Sequence, residues 1–250
     1  MNYGFKKDVI VPEDYIFGGL TKIPKENLQP DKDWTPYLPM KEYQNLFGVE
    51  TFACVTFTIL NCVETLIKKK YNEERNYSDR FLAAISGTKE GGNSPKIVGE
   101  FLRKIGVVPQ ELWPFSENIN TFDKFYEKVP PKLYKLANEF NAEWDFGYEY
   151  VMPNGLEEAL ISSPLLMSVS AWHQDKDGYY YNPGVSNNHA TTYVKAVSND
   201  YRLVFDSYDS VSKKVKWDTM PEVAMRFYIK KKAKEAKSWL VRLIEFIFRQ

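Results

Sequence analysis

Cys54, His189 and Asp206 are residues whose types and spacing could carry nucleophilic acyl transfer. The 250-residue chain has only two cysteines and two histidines, and one of each stands at the start of a patterned element. Cys54 opens a run in which Val55, Ile59, Val63 and Ile67 recur at helical spacing. In the first turn of that helix, unpaired backbone N–H groups and the positive end of the macrodipole favour a thiolate, the reactive form of the side chain. The competing reading is a small buried hydrophobe, as free cysteine often is. His189 begins the strand pattern HATTYVKAV, 135 positions (189 − 54) further on, where an imidazole could serve as base and acid. Asp206 follows Leu203-Val204-Phe205 by 17 positions (206 − 189) and could orient the ring from a neighbouring strand.

These residues need two kinds of scaffold. Residues 1–42 carry Pro12, Pro24, Pro30, Pro36 and Pro39 with little periodicity and read as an arm that wraps the body. Residues 43–142 read as a helical lobe. Its elements are the Cys54 helix ending at Lys68 to Lys70, a short helix over Ser78 to Ile85, and a helix capped by Ser94 with Pro95 in its first turn and Gly106 at its end. An amphipathic stretch over 121–140, broken by Pro130-Pro131, completes it. Residues 143–229 change to short apolar or alternating runs separated by Asn, Asp, Gly and Pro, which read as a β lobe. The runs are Tyr148 to Met152, Leu165 to Trp172, Tyr179 to Tyr181, Ala190 to Val197, Arg202 to Tyr208 and Val223 to Ile229. A short helix at Leu156 to Ser162 interrupts them. The class is α+β, with an active-site cleft expected between the lobes.

Composition narrows the function. Lys+Arg and Asp+Glu are equal at 33 each, so the chain lacks the basic surplus with which nucleic-acid binders neutralise phosphates. Aromatic residues make up 16%, which argues for a packed body. No signal-peptide pattern and no apolar run of membrane-spanning length occurs, so the sequence reads as cytoplasmic, in a reducing compartment without structural disulfides. With so few Cys and His no metal site is expected, and no cofactor is implied. Cys62 reads as core on the Cys54 helix, and His173, beside the charged turn Gln174 to Asp177, as a loop residue.

Several motifs, in order, resemble the papain-like cysteine peptidases over most of residues 33–229. They are Asp33-Trp34; Phe52-Ala53-Cys54-Val55-Thr56-Phe57, with Val55 where tryptophan is usual; Glu90-Gly91-Gly92-Asn93-Ser94-Pro95; Gly106-Val107-Val108-Pro109; Trp113-Pro114-Phe115; Asn188-His189-Ala190; and Asp206-Ser207-Tyr208, where Asn-Ser-Trp is usual. The Cys-to-His spacing also suits that family. The resemblance implies a two-lobe fold, a helical left lobe against an antiparallel β-barrel-like right lobe, and hydrolysis of peptide bonds through an acyl-enzyme. It implies Cys54 as nucleophile, His189 as base and acid, Asp206 as orienting group, Gln44 as oxyanion donor, and Gly91 and Gly92 as the groove wall whose backbone pairs with a peptide or protein substrate. Gln44 precedes Cys54 by ten residues (54 − 44) instead of the usual six. Either the loop Asn45 to Thr51 bulges and returns Gln44 to the site, or Asn45 or another group donates.

The stretch before Asp33 is shorter than the family's inhibitory pro-region, so the protein is expected to be made without a zymogen stage, as a divergent bacterial or phage relative. Two rival functions remain: the same triad acting on a cell-wall amide or isopeptide bond, and a non-catalytic papain-like module such as a virion component. Residues 231–250 carry an apolar stripe, Ala236, Trp239, Leu240, Leu243, Ile244, Ile247 and Phe248. Seven Lys/Arg stand against two Glu over 230–250, which suits a basic helix docked on its own lobe, on a partner protein or on a membrane surface.

Overall fold

A computed structural model describes residues 2–18, 28–208 and 212–233. The nucleophile helix is its centre. Helix α1 (Cys54–Tyr71) is buried at every position from Cys54 to Ile67, so the apolar stripe read from the sequence is one side of a helix enclosed on all sides. Its polar residues are accommodated locally: Thr65 Oγ1 donates to Asn61 O at 2.7 Å, and Glu64 Oε1 accepts the Tyr77 N–H at 2.7 Å. Lys68, Lys69 and Lys70 occupy the last turn, where cations are favoured, and Asn72 caps it in the left-handed region at φ 54°.

Two capped helices follow. Ser78 Oγ accepts the Phe81 N–H to start α2 (Asp79–Ile85), and Ser94 Oγ accepts the Ile97 N–H to start α3 (Pro95–Ile105), which ends at Gly106. Pro130-Pro131 divides α4 (Phe122–Phe125) from α5 (Pro131–Glu143). A short α6 (Leu156–Ala159) lies among the strands.

The described strands are β1 (Trp144–Tyr150), β2 (Leu165–Val169), β3 (His173–Gln174), β4 (Tyr180–Tyr181), β5 (His189–Val197), β6 (Tyr201–Phe205), β7 (Ser212–Lys216) and β8 (Ala224–Lys231). They form one sheet in the order β1-β8-β2-β5-β6-β7-β4-β3. The described strands pair antiparallel except for the parallel Tyr180↔Val215 contact between β4 and β7. Helix α1 packs on β5, β8 and β2, so one continuous apolar core joins the helical and β halves. The sequence reading missed β3 and β7.

Described residues before 43 contact the body at separate points. Ile16 bridges to Tyr150, Asp33 bridges to Lys195, and the fully buried Trp34 donates its indole N–H to Leu160 O at 2.7 Å. At the other end, β8 continues through Lys231, whose N–H donates to Tyr71 Oη, so these residues extend a strand instead of opening a helix. The remainder of the basic helix expected over 231–250 lies, from 234 onward, outside the described residues.

Candidate active site

The site forms where the start of α1 meets the start of β5 and the end of β6. Cys54 is the first residue of α1 and is completely buried. His189 is the first residue of β5, set opposite Val169 of β2 by the strand register. Asp206 immediately follows β6, which pairs with β5 through Thr192↔Phe205. The register therefore brings the carboxylate alongside the ring, with His189 Nε2 2.6 Å from Asp206 Oδ1.

That bond occupies Nε2, while Nδ1 has no hydrogen-bonding partner among the described residues. Burial alone would push the imidazole pKa down. The charges of Asp206 and Cys54, with hydrogen bonds to both, outweigh burial and raise it to about 10. The ring is thus held as imidazolium at neutral pH. Trp172, Tyr3 and Tyr208 surround it edge-on, with ring centroids 5.6, 5.7 and 6.4 Å away.

Gln44 lies against Ser207, the residue after Asp206, and the loop that separates it from Cys54 bulges. The intervening loop makes a 3-10 turn at Leu46–Gly48, with Phe47 and Gly48 both in the left-handed region and exposed, and it returns to the protein at buried Val49. Gln44 itself is fully buried. Its Oε1 accepts from Ser207 Oγ at 3.0 Å, its backbone N–H donates to Ser207 O at 2.9 Å, and Thr51 Oγ1 donates to its carbonyl at 2.8 Å. The amide is thereby fixed with Nε2 outward, and Nε2 donates to Tyr3 O at 3.0 Å and to Glu50 Oε1 at 3.2 Å.

Tyr3 belongs to the feature that sequence reasoning missed. The groove expected to be open is filled by residues 2–6. The Tyr3 N–H donates to Asn188 O at 3.0 Å, beside His189, while its carbonyl faces Gln44. Gly4 O accepts the Asn93 N–H at 3.0 Å, and the Lys6 N–H donates to Asn93 O at 3.0 Å, so residues 4–6 run parallel to the chain at Asn93. Phe5 is buried in the main core. Asp8 fastens the segment by accepting the Lys96 N–H near the start of α3.

The close passage depends on two glycines. A Cβ on Gly4, whose φ is +114°, would stand 2.1 Å from Phe52 O; a Cβ on Gly92 would stand 1.8 Å from Gly4 O. Of the expected groove wall, Gly91 O accepts from Asn2 Nδ2 at 3.0 Å, and Gly92 spends its N–H on Lys89 O. The backbone pairing with residues 4–6 is made by Asn93. A short motif, Asn2-Tyr3-Gly4-Phe5, was the only signal for this segment, and its meaning depends on where the arm returns.

Lys213, on β7, also went unread. Its Nζ lies 2.5 Å from Asp206 Oδ2 and donates to Tyr208 O at 2.7 Å, with its side chain almost wholly enclosed. In the run Ser212-Lys213-Lys214-Val215-Lys216 only the alternation of buried Lys213 and Val215 marks an inward face, and a lysine usually marks the outward one.

Cys62 sits in the core, its thiol pushed well up by burial, and His173 lies exposed on β3 against Tyr181. Among the described residues no group of three or more His, Cys, Asp or Glu side chains is arranged to hold a metal ion, and no helix is long and apolar enough to cross a membrane.

Known structures share this architecture. Xylellain, a cysteine protease from Xylella fastidiosa, superposes with a TM-score of 0.67 at 18% identity, over 93% of this chain and 97% of that one. The fold is papain-like. Digestive procathepsin L 3 of the Tenebrio molitor larval midgut gives 0.61 at 13% identity, over 90% of this chain and 75% of that one. Bromelain from Ananas comosus, in complex with the E64 inhibitor, gives 0.54 at 19% identity, over 81% and 98%. No protein-family model and no curated protein matches the chain. At these identities the papain-like likeness describes the fold.

Proposed function

We propose that the protein is a cysteine peptidase whose groove is closed by its own residues 2–6. The observation that carries this reading is a peptide unit already seated beside the imidazole: Tyr3, whose ring lies 5.7 Å from that of His189, gives its N–H to Asn188 O and takes a hydrogen bond on its carbonyl from Gln44. A site that grips an extended backbone this way, next to a cysteine and an imidazolium, suits attack on a peptide carbonyl.

In this reading the Cys54 thiolate attacks the carbonyl carbon, and the developing oxyanion takes hydrogen bonds from Gln44 Nε2 and the Cys54 backbone N–H. His189 gives its Nδ1 proton to the leaving amine as the C–N bond breaks, which leaves a thioester on Cys54. The neutral imidazole then takes a proton from water as that water attacks the thioester, so the acid is released and the thiolate and imidazolium are restored. Asp206 holds the ring through Nε2 throughout.

A second reading, a non-catalytic papain-like binding module, is favoured by the complete burial of both Cys54 and His189. The two are separated in a full-length Gly4→Val protein, where the added side chain cannot pass Phe52 and residues 2–6 are displaced. Hydrolysis of an unfolded protein or a peptide library, absent in Gly4→Val/Cys54→Ala and cut ~10²- to 10⁴-fold in Gly4→Val/His189→Ala, is expected of the peptidase. Iodoacetamide labelling of Cys54 no faster than a free thiol, with no hydrolysis, would leave the binding module.

A further inference from the structure

Cys54, His189, Asp206 and Lys213 form a continuous line of groups that alternate in sign when charged. Cys54 interacts with His189 at one end; Asp206 Oδ1 holds His189 Nε2 at 2.6 Å, and Asp206 Oδ2 holds Lys213 Nζ at 2.5 Å. The Asp206 and Lys213 side chains are almost completely enclosed. One indole covers both ends of the sheet side: the Trp172 ring centroid lies 5.6 Å from the His189 ring and 4.9 Å from Lys213 Nζ. Water is therefore kept from the carboxylate, and its charge must be balanced by protein groups.

We infer that Lys213 is a positioning residue for His189, acting through Asp206: it fixes the carboxylate with Oδ1 on the ring and balances its charge, so that the imidazolium can still release its proton. This rests on the reading of Cys54 and His189 as nucleophile and base. A carboxylate alone would hold the imidazolium proton too firmly for transfer to a leaving amine. A carboxylate neutralised on its far side does the orienting work of a neutral amide without that excess pull. Asp206 and Lys213 are thus one unit in the place where the family uses asparagine, and neither is expected to work without the other.

The test titrates His189 by ¹⁵N imidazole NMR in the full-length protein, with exposed His173 as internal reference. Lys213→Met should raise the His189 pKa by about 1–2 pH units, the size expected for losing a positive charge about 6 Å away at an effective dielectric of about 20. Lys213→Arg should restore it to near the wild-type value. In the Gly4→Val background, both limbs of the kcat/KM profile should move to higher pH in Lys213→Met, because the added net negative charge disfavours the thiolate and favours the imidazolium. An unchanged His189 titration in Lys213→Met, or an equal shift in Lys213→Arg, overturns the inference, since a merely structural lysine would lower activity without moving the pH dependence.

A folding defect in Lys213→Met is bypassed by comparing Asp206→Asn with Asp206→Asn/Lys213→Met. The double variant should be more stable and at least tenfold more active than the single one, which strands an ammonium. No improvement overturns the pairing. Failure of the peptidase reading is distinct: Cys54 would then be inert in every background while the NMR shift persisted.

Discussion

Two of the buried acid groups among the described residues have opposite surroundings. Asp206 lies between the His189 ring and the Lys213 side chain and pairs with both. Glu64 of α1 and Asp79 of α2 are just as buried, and together with Glu42 they form a group in which the neighbouring charges acting on each acid are themselves carboxylates. Burial, reinforced by these like charges, pushes Glu64 and Asp79 well above the usual carboxylate range, and burial raises Glu42 too. Asp79 and Glu42 hydrogen-bond each other, which two carboxyl groups can do only by sharing a proton. Compensated by cations, a buried acid is available for chemistry; uncompensated, it is a neutral hydrogen-bonding group that pH can charge.

The sharpest way to break the comparison is to remove one acid from each set. Asp206→Ala leaves Lys213 buried without its carboxylate and should cost about 3–5 kcal/mol in urea unfolding. Glu64→Gln removes an acid that burial pushes well above the usual carboxylate range, so it should cost little at acidic pH and become relatively more stabilising as pH rises. Equal losses from the two substitutions would erase the distinction.

Next in size is the donor side of the groove. Gln44→Ala in the Gly4→Val background should lower kcat ~10²- to 10³-fold if its amide meets the oxyanion. A change confined to KM would make Gln44 a holder of residues 2–6 and nothing more. Gly4→Val alone should speed iodoacetamide labelling of Cys54 by at least about tenfold, since a shift of only about 1.4 kcal/mol in closure produces that change. Unchanged labelling would mean that the segment stays seated despite the added side chain.

The smallest expected effect is a slope. An acid whose native pKa is raised stabilises the fold below its unfolded value, near ~4, and loses that contribution as pH rises through the native value. Stability should therefore decline as pH rises above that unfolded value, and Glu64→Gln or Asp79→Asn should flatten the decline. Below pH ~4 the trend reverses. Glu100, lowered to about 2 chiefly by its hydrogen bond to Arg103, contributes stability that is lost as pH falls through that range. Melting temperatures across this pH range distinguish the two trends.

The sequence revealed most where chemistry and backbone pattern coincide. Cys54 at a helix start, His189 at a strand start and Asp206 at a strand end are fixed by local periodicity, and strand register does the rest. Helix caps at Ser78 and Ser94 were legible for the same reason. Gln44 stood out as a residue type, but the loop after it bulges through two successive left-handed residues, Phe47 and Gly48, which periodicity does not encode. Lys213 was hidden because an inward lysine on a short strand looks like a solvated edge. Residues 2–6 were hidden because nothing local says that an irregular arm will lie between Phe52 and Gly92.

Gly4 also sets a kinetic condition on the whole molecule. The segment it threads through the groove is covalently tethered, so its local concentration at the site is of the order of millimolar whatever the protein concentration. A free peptide of residues 2–8 would need roughly that concentration to fill the groove of a Gly4→Val protein as fully. In the proposed peptidase a substrate would compete against the tethered copy, which raises apparent KM and leaves kcat unchanged.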